Sequence, residues 1–299
     1  MFRPLLLGIA TSAVIASPGF AADVTIRNFI GQIIITPGSD GVEVLDRGRK
    51  GEVDYSESGS AILIDGGQNL KQLNEVCNGR GGLSFDLEWS GMSYRGDTRL
   101  KDYPQLRVSV PNGSTLTVED SAMRLDADLV LGDVDLDVSG CFDMKFSDMT
   151  SLDLQKSGSG DLEIGKVDRL SGKKSGAGDV DIESVGAFRL NQSGAGDIEI
   201  GTVTRSFEIE KSGAGDIEID RADGTLDVRK SGAGDVEVAD GRLTEVILRN
   251  SGAGDVDIDA DIVDADVRAS GAGDVYLKSV SGVLSQEVSG AADLRRGDD

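Results

Sequence analysis

The chain contains no histidine, and aromatic residues make up only 4% of its 299 positions. Without imidazole there is no histidine general base, no Ser-His-Asp or Cys-His couple and no histidine-ligated metal. Basic side chains are also scarce: 30 Lys and Arg stand against 53 Asp and Glu, a formal charge of −23. Nucleic-acid phosphates and anionic membrane surfaces recruit basic side chains, so both are poor partners for this chain. Cysteine occurs twice, without a CxxC pair, and no P-loop or dinucleotide fingerprint is present. Glycine is the abundant residue. Its 41 copies are roughly twice the usual share of about 7%, which argues against a helical protein. High charge with few aromatics is also the composition of disordered chains. The order of the residues decides between the two.

The first apolar run, Leu5 to Ala16, follows Arg3, the one charge before Asp23. Pro18 and Gly19 end it, and small residues at Gly19 and Ala21 suit a cut before Ala22. Residues 1–21 read as a secretory signal peptide. The alternative, a membrane anchor, falls short of the ~20 residues that a span needs. No later stretch is apolar enough to span, so the mature chain is expected to have no integral membrane segment. Export to the periplasm, the surface or the exterior of a bacterium follows. In that oxidising setting Cys77 and Cys141 are a disulfide candidate. The alternative is two separate thiols, because nothing in the sequence places them side by side.

The dominant feature is an internal repeat. SGSGD ends at Asp161; SGAGD then ends at Asp179, Asp197, Asp216, Asp235, Asp255 and Asp274; a decayed SGAAD ends at Asp293. The spacing of about 19 residues reads as a solenoid. After each Asp comes a period-two alternation, as in Asp197-Ile198-Glu199-Ile200, and a second one follows, as in Phe207-Glu208-Ile209. Alternation of β-branched and acidic residues describes half-buried strands. Each repeat therefore predicts about two short strands and two bends, with the glycines at a tight corner. Stacking gives an all-β, right-handed parallel β-helix with ~19-residue rungs. Its core is expected to hold columns of Val, Ile, Leu and Phe. Ala177, Ala195, Ala214, Ala233, Ala253 and Ala272 are expected to fill the narrow corner.

Residues 22–120 lack the pentapeptide but carry strand signals, such as Val24 to Ile35 and the two segments around Pro111-Asn112-Gly113. They read as a β-region that starts or caps the solenoid, with an irregular glycine-rich loop over 66–103 that includes Cys77 and Trp89. The repeat array spans 121–299.

Stacking puts Asp161, Asp179, Asp197, Asp216, Asp235, Asp255 and Asp274 in one column. Glu163, Asp181, Glu199, Glu218, Glu237 and Asp257 form a second column, two residues along on the same face. Unit like charges about 4.8 Å apart repel by roughly 0.9 kcal/mol in water and about 3.5 kcal/mol at an effective dielectric of 20. Three devices could offset this. Each Asp could accept backbone N–H bonds at its glycine corner, as in Asx-turns. The column could pair with Lys156, Lys174, Lys211 and Lys230, although Gln192, Asn250 and Ala269 interrupt that series. Or Ca²⁺ could sit between rungs on the aspartates, which are the metal-ligand candidates. The third reading matches the calcium-binding nonapeptide repeat only in part. No other cofactor is expected. Catalysis is not expected either, because paired carboxylates need a cleft that separates their pKa values, and these corners are short and nearly identical. The tripeptides Arg95-Gly96-Asp97 and Arg296-Gly297-Asp298 are unsurprising in a chain so rich in Gly and Asp.

The SGAGD-V/I-x-I repeats, the entry segment Asn28 to Ile35 and the segment Leu106 to Val118 with its VPNGS resemble the bacterial head-GIN family of auto-transporter adhesin domains. The similarity covers most of the mature chain, most specifically residues 139–294. It implies an exported β-solenoid and offers no catalytic residues to carry over. The C-terminal residues Arg295 to Asp299 show no barrel or sorting signal, so a strict auto-transporter is not expected. Together these readings predict an exported, non-enzymatic, adhesin-like interaction protein, monomeric, with a protein, glycan or surface ligand. The alternatives are a Ca²⁺-dependent repeat protein and a cell-envelope sensor or structural component.

Overall fold

The computed structural model describes residues 21–78, 83–84 and 98–297. The expected leader, apart from Ala21, lies outside the described residues, as do Trp89, the tripeptide at 95–97 and Asp298.

The chain is nearly all β and winds about ten turns of stacked parallel strands. The alternation seen in the sequence sets the rung. In Ile198–Lys211 the side chains of Ile198, Ile200, Val203, Phe207 and Ile209 are buried, while Glu199, Thr204, Arg205 and Glu210 are exposed. Each buried residue stacks on its equivalent. Ile198 pairs in register with Val180 below and Ile217 above, and Phe207 with Phe188 and Leu226. The rings of Phe188 and Phe207 lie 4.8 Å apart and nearly parallel. Burying one such side chain contributes about 2 kcal/mol. Ordering one backbone residue costs about 1–2 kcal/mol. A lone rung with five or so buried side chains loses that contest. A stack wins it, because each added rung also buries the face of the rung below. The predicted pair of short strands merges here into single long ladders, such as Ser159–Lys174 and Ile217–Lys230, that bend without leaving the sheet.

The alanine expectation is corrected. Alternation continues straight through the glycine corner, so Ala177, Ala195, Ala214, Ala233, Ala253 and Ala272 face outward and are exposed. The glycines take the inward positions, where the rung below leaves no room for a side chain. A Cβ on Gly194 would overlap the carbonyl of Gly176.

The N-terminal region joins the same stack out of sequence order. Strand β1 (Asp23–Arg27) pairs in parallel with Thr115–Glu119 on one side and with β5 (Ala61–Asp65) on the other. Strand β2 (Ile30–Pro37) lies between Ala122–Ala127 and Gln105–Val110. Strands β1 and β2 thus sit inside the stack, and later segments lay the end rung over them. Strands β3 (Gly41–Asp46) and β4 (Asp54–Ser58) run antiparallel along that end rung. Their exposed charges, Glu43, Asp54 and Glu57 among them, guard the outer edge against pairing with another chain.

The glycine-rich loop holds an element that the sequence analysis missed. Helix α1 (Leu70–Asn78) begins at a reciprocal cap: Asn69 Oδ1 accepts the Gln72 N–H at 3.1 Å, and Gln72 Oε1 accepts the Asn69 N–H at 2.9 Å. Asn-x-x-Gln ahead of Leu73 and Val76 was the signal available. Cys77 on α1 is bonded to Cys141, with Cα atoms 5.4 Å apart. Among the described residues no helix is long and apolar enough to cross a membrane.

Candidate functional site: the acidic face

The corner places three columns side by side, and the structure gives each a different environment. The first is buried. Lys156, Lys174, Gln192, Lys211, Lys230 and Asn250 follow one another up the interior, each 0–2% exposed. Among the described residues no direct salt bridge joins them to the aspartate column, although the aspartate charges act favourably on them, as Asp179 and Asp197 do on Lys174. Lys156 Nζ donates to the Ala177 carbonyl at 2.7 Å, and Lys174 Nζ to the carbonyls of Ala195 and Gly196 at 3.1 and 2.9 Å. Lys230 Nζ and Asn250 Nδ2 converge on the Gly254 carbonyl. The glycine corner turns carbonyls inward, where water does not reach, and the ammonium groups satisfy them. Burial pushes Lys156 and Lys230 down to about 8, and a lysine of an adjacent rung adds to the fall.

The second column is the aspartate ladder. Asp161 Oδ1 accepts the backbone N–H of Asp179 at 3.0 Å. Asp179, Asp197, Asp216, Asp235, Asp255 and Asp274 each do the same for the next Asp up, at 2.7–2.9 Å. The expected bond to a backbone N–H is present, but its donor lies one rung above rather than in the same corner. Among the described residues no group of three or more acidic or cysteine side chains is gathered to hold a metal ion. The ladder yields a direct test. Asp216→Asn keeps an acceptor oxygen and should leave stability within about 0.5 kcal/mol of the parent. Asp216→Ala strips the acceptor and should cost about 1 kcal/mol. Thermal melts with and without EDTA would show equal loss for both variants, and sensitivity to chelator, if the carboxylate held Ca²⁺ instead.

The third column is tied in only at one end. Glu163, Asp181, Glu199, Glu218, Glu237 and Asp257 pair in register from rung to rung. Lys145 meets Glu163 at 2.7 Å at one end. Among the described residues, no side-chain hydrogen bond or ion pair is seen for Asp181, Glu199, Glu218, Glu237 or Asp257. The strain registers on Asp181, whose carboxyl is raised to about 6 by desolvation first and by the charges of Glu199 and Glu163 next. A groove of about 670 Å³ runs beside this column, and Asp148, Glu183 and Asp220 join Glu163, Asp181, Glu199 and Glu218 in its lining. The sequence pattern gives the column but not these three, which lie past the bend where the strict alternation lapses. Gly165 and Gly201 at that bend also line the groove, and a Cβ on either would meet a backbone carbonyl of the neighbouring rung.

A family described as "Putative auto-transporter adhesin, head GIN domain" matches the chain over residues 45–218 and again over 180–296. The chain belongs to this family. The two head GIN matches overlap inside the repeat, where successive rungs are alike, and together they take in all three corner columns. The family's description makes the chain adhesin-like. A solved structure described as a putative adhesin from Bacteroides fragilis is similar at 13% identity, with 93% of each chain covered and a TM-score of 0.31. No curated protein matches the chain.

Proposed function

We propose that the chain is an exported, non-enzymatic adhesin of the bacterial envelope whose acidic face holds a cationic surface ligand. One observation carries this reading: from Asp181 to Asp257 a column of acids stands rung above rung with no side-chain partner among the described residues. The aspartates beside it are tied into the backbone, so their charge has a structural role. Glu199, Glu218 and Glu237 are not, and an opposite charge from outside is what would relieve them. The groove repeats nearly the same side chain at each rung, which suits an extended or repeating ligand rather than one reacting centre.

The test separates stability from binding. The triple variant Glu199→Gln, Glu218→Gln, Glu237→Gln should melt a few degrees higher than the parent at pH 7, a gain of about 1 kcal/mol after solvent screening. In a pull-down from native envelope material the same variant should retain about tenfold less, and raised salt should release the material from the parent. Equal retention by parent and variant would overturn the reading.

A further inference from the structure

Outside the solenoid interior the chain builds a second, smaller apolar cluster. Leu73 of α1, Leu100 and Tyr103 cover Ile30 and Ala122, with Val76, Cys77 and Cys141 packed at its edge. Ile30 and Ala122 face each other in register on the outer side of the stack. Cys141, one residue before Phe142, continues that outward column and pairs with Ser159 above it. The same column then runs on as exposed alanines. Only its first three positions are apolar and covered, and α1 is part of the cover.

Among the described side chains, Leu73, Val76 and the disulfide seat α1 on the stack. It has nine residues, below the roughly 12–15 that an isolated helix needs in water. Its first turn carries no acid and its last turn no base, so its dipole is not compensated. Leu73 is its one fully buried apolar side chain among those described. Cys77 and Cys141 are both partly exposed, within reach of a reductant. By contrast, the rungs from Ser159 onward are joined by long backbone ladders and share the main core.

We propose that α1 is a redox-latched strap. With the disulfide intact it lies over the Ile30–Ala122–Cys141 column. A dithiol reductant breaks the S–S bond by exchange, closes its own disulfide and leaves two thiols, with two electrons and two protons passed to Cys77 and Cys141. The strap then lifts, uncovers an apolar patch on the flank of the rod and leaves the stack above it folded.

Hydrogen exchange on the full chain, with and without dithiothreitol, tests this. Reduction should cost the α1 amides at least tenfold in protection, open both thiols to iodoacetamide and leave the amides of 180–269 unchanged. Burial also holds the Tyr103 phenol above its ordinary 10.0, and reduction should bring its titration back toward that value. The double variant Cys77→Ser, Cys141→Ser should show the reduced pattern without reductant. Should it not fold, reduction of the folded parent gives the same readout. Unchanged α1 protection after reduction would overturn the proposal, and so would loss of protection throughout the stack.

Discussion

Gly196→Val should lower the melting temperature by about 10 °C, whereas Ala195→Val, one residue away, should change it by less than about 2 °C. Gly196 has φ of +95° and points inward, and a Cβ there would meet the backbone C and N of Gly178 at 2.8 Å. Two penalties add. A β-branched residue at positive φ costs about 1–3 kcal/mol. Overpacking against backbone that cannot move aside costs about as much again. The sum of about 4 kcal/mol corresponds to roughly 10 °C for a chain of this size. Ala195 is exposed, and an exposed substitution stays within about 0.5 kcal/mol. Differential scanning calorimetry of the two variants decides between the corner seen here and one filled by alanine, which would reverse the order.

Raising the pH from 8 to 9.5 should stabilise the fold, the opposite of what a chain this acidic suggests. Lys156 and Lys230 are held at about 8 by burial, and in the unfolded chain they return to the ordinary 10.5. Between those values the unfolded chain binds more protons than the folded one, so stability rises with pH. Over 1.5 pH units the gain is about 2 kcal/mol for each lysine. Exposed lysines keep their charge in this window, so ion pairs such as Lys145–Glu163 persist. Urea midpoints measured across the window should move upward for the parent. The double variant Lys156→Met, Lys230→Met should lose most of the rise and keep a shallower one, because burial also pushes down Lys174 and Lys211 in the same column. A parent midpoint that stays level or falls would show that the ammonium groups are comfortably charged inside the corner.

Both predictions turn on side chains whose direction could be counted from the sequence but was not. From Ile198, alternation gives Asp197 out, Gly196 in, Ala195 out, Gly194 in, Ser193 out and Gln192 in. Glycine corners usually interrupt such alternation, because positive φ rotates the chain. Here the corner residues pair with the rung below, as in Ala214 N–H to the Gly194 carbonyl at 3.3 Å, and the parity survives. The acidic column was legible because it sits in the regular strand. The groove residues Asp148, Glu183 and Asp220 were not, because they follow the bend. Helix α1 was hidden by the glycines around it, although its capping pair stands in the sequence.

The sequence by itself determined the period, the burial pattern of each rung and the two acidic columns. Strand alternation is a property of the covalent backbone, and a repeat copies it to every rung. Only the tertiary structure decided that β1 and β2 slot between a later rung and the end rung, that Cys77 reaches Cys141, and that buried ammonium groups satisfy the corner carbonyls. These rest on contacts between segments far apart in the chain, such as the Ala22 N–H and Ser114 Oγ at 2.9 Å across 92 positions. Backbone pairing and close packing select such contacts from the whole stack, and no local spacing encodes them.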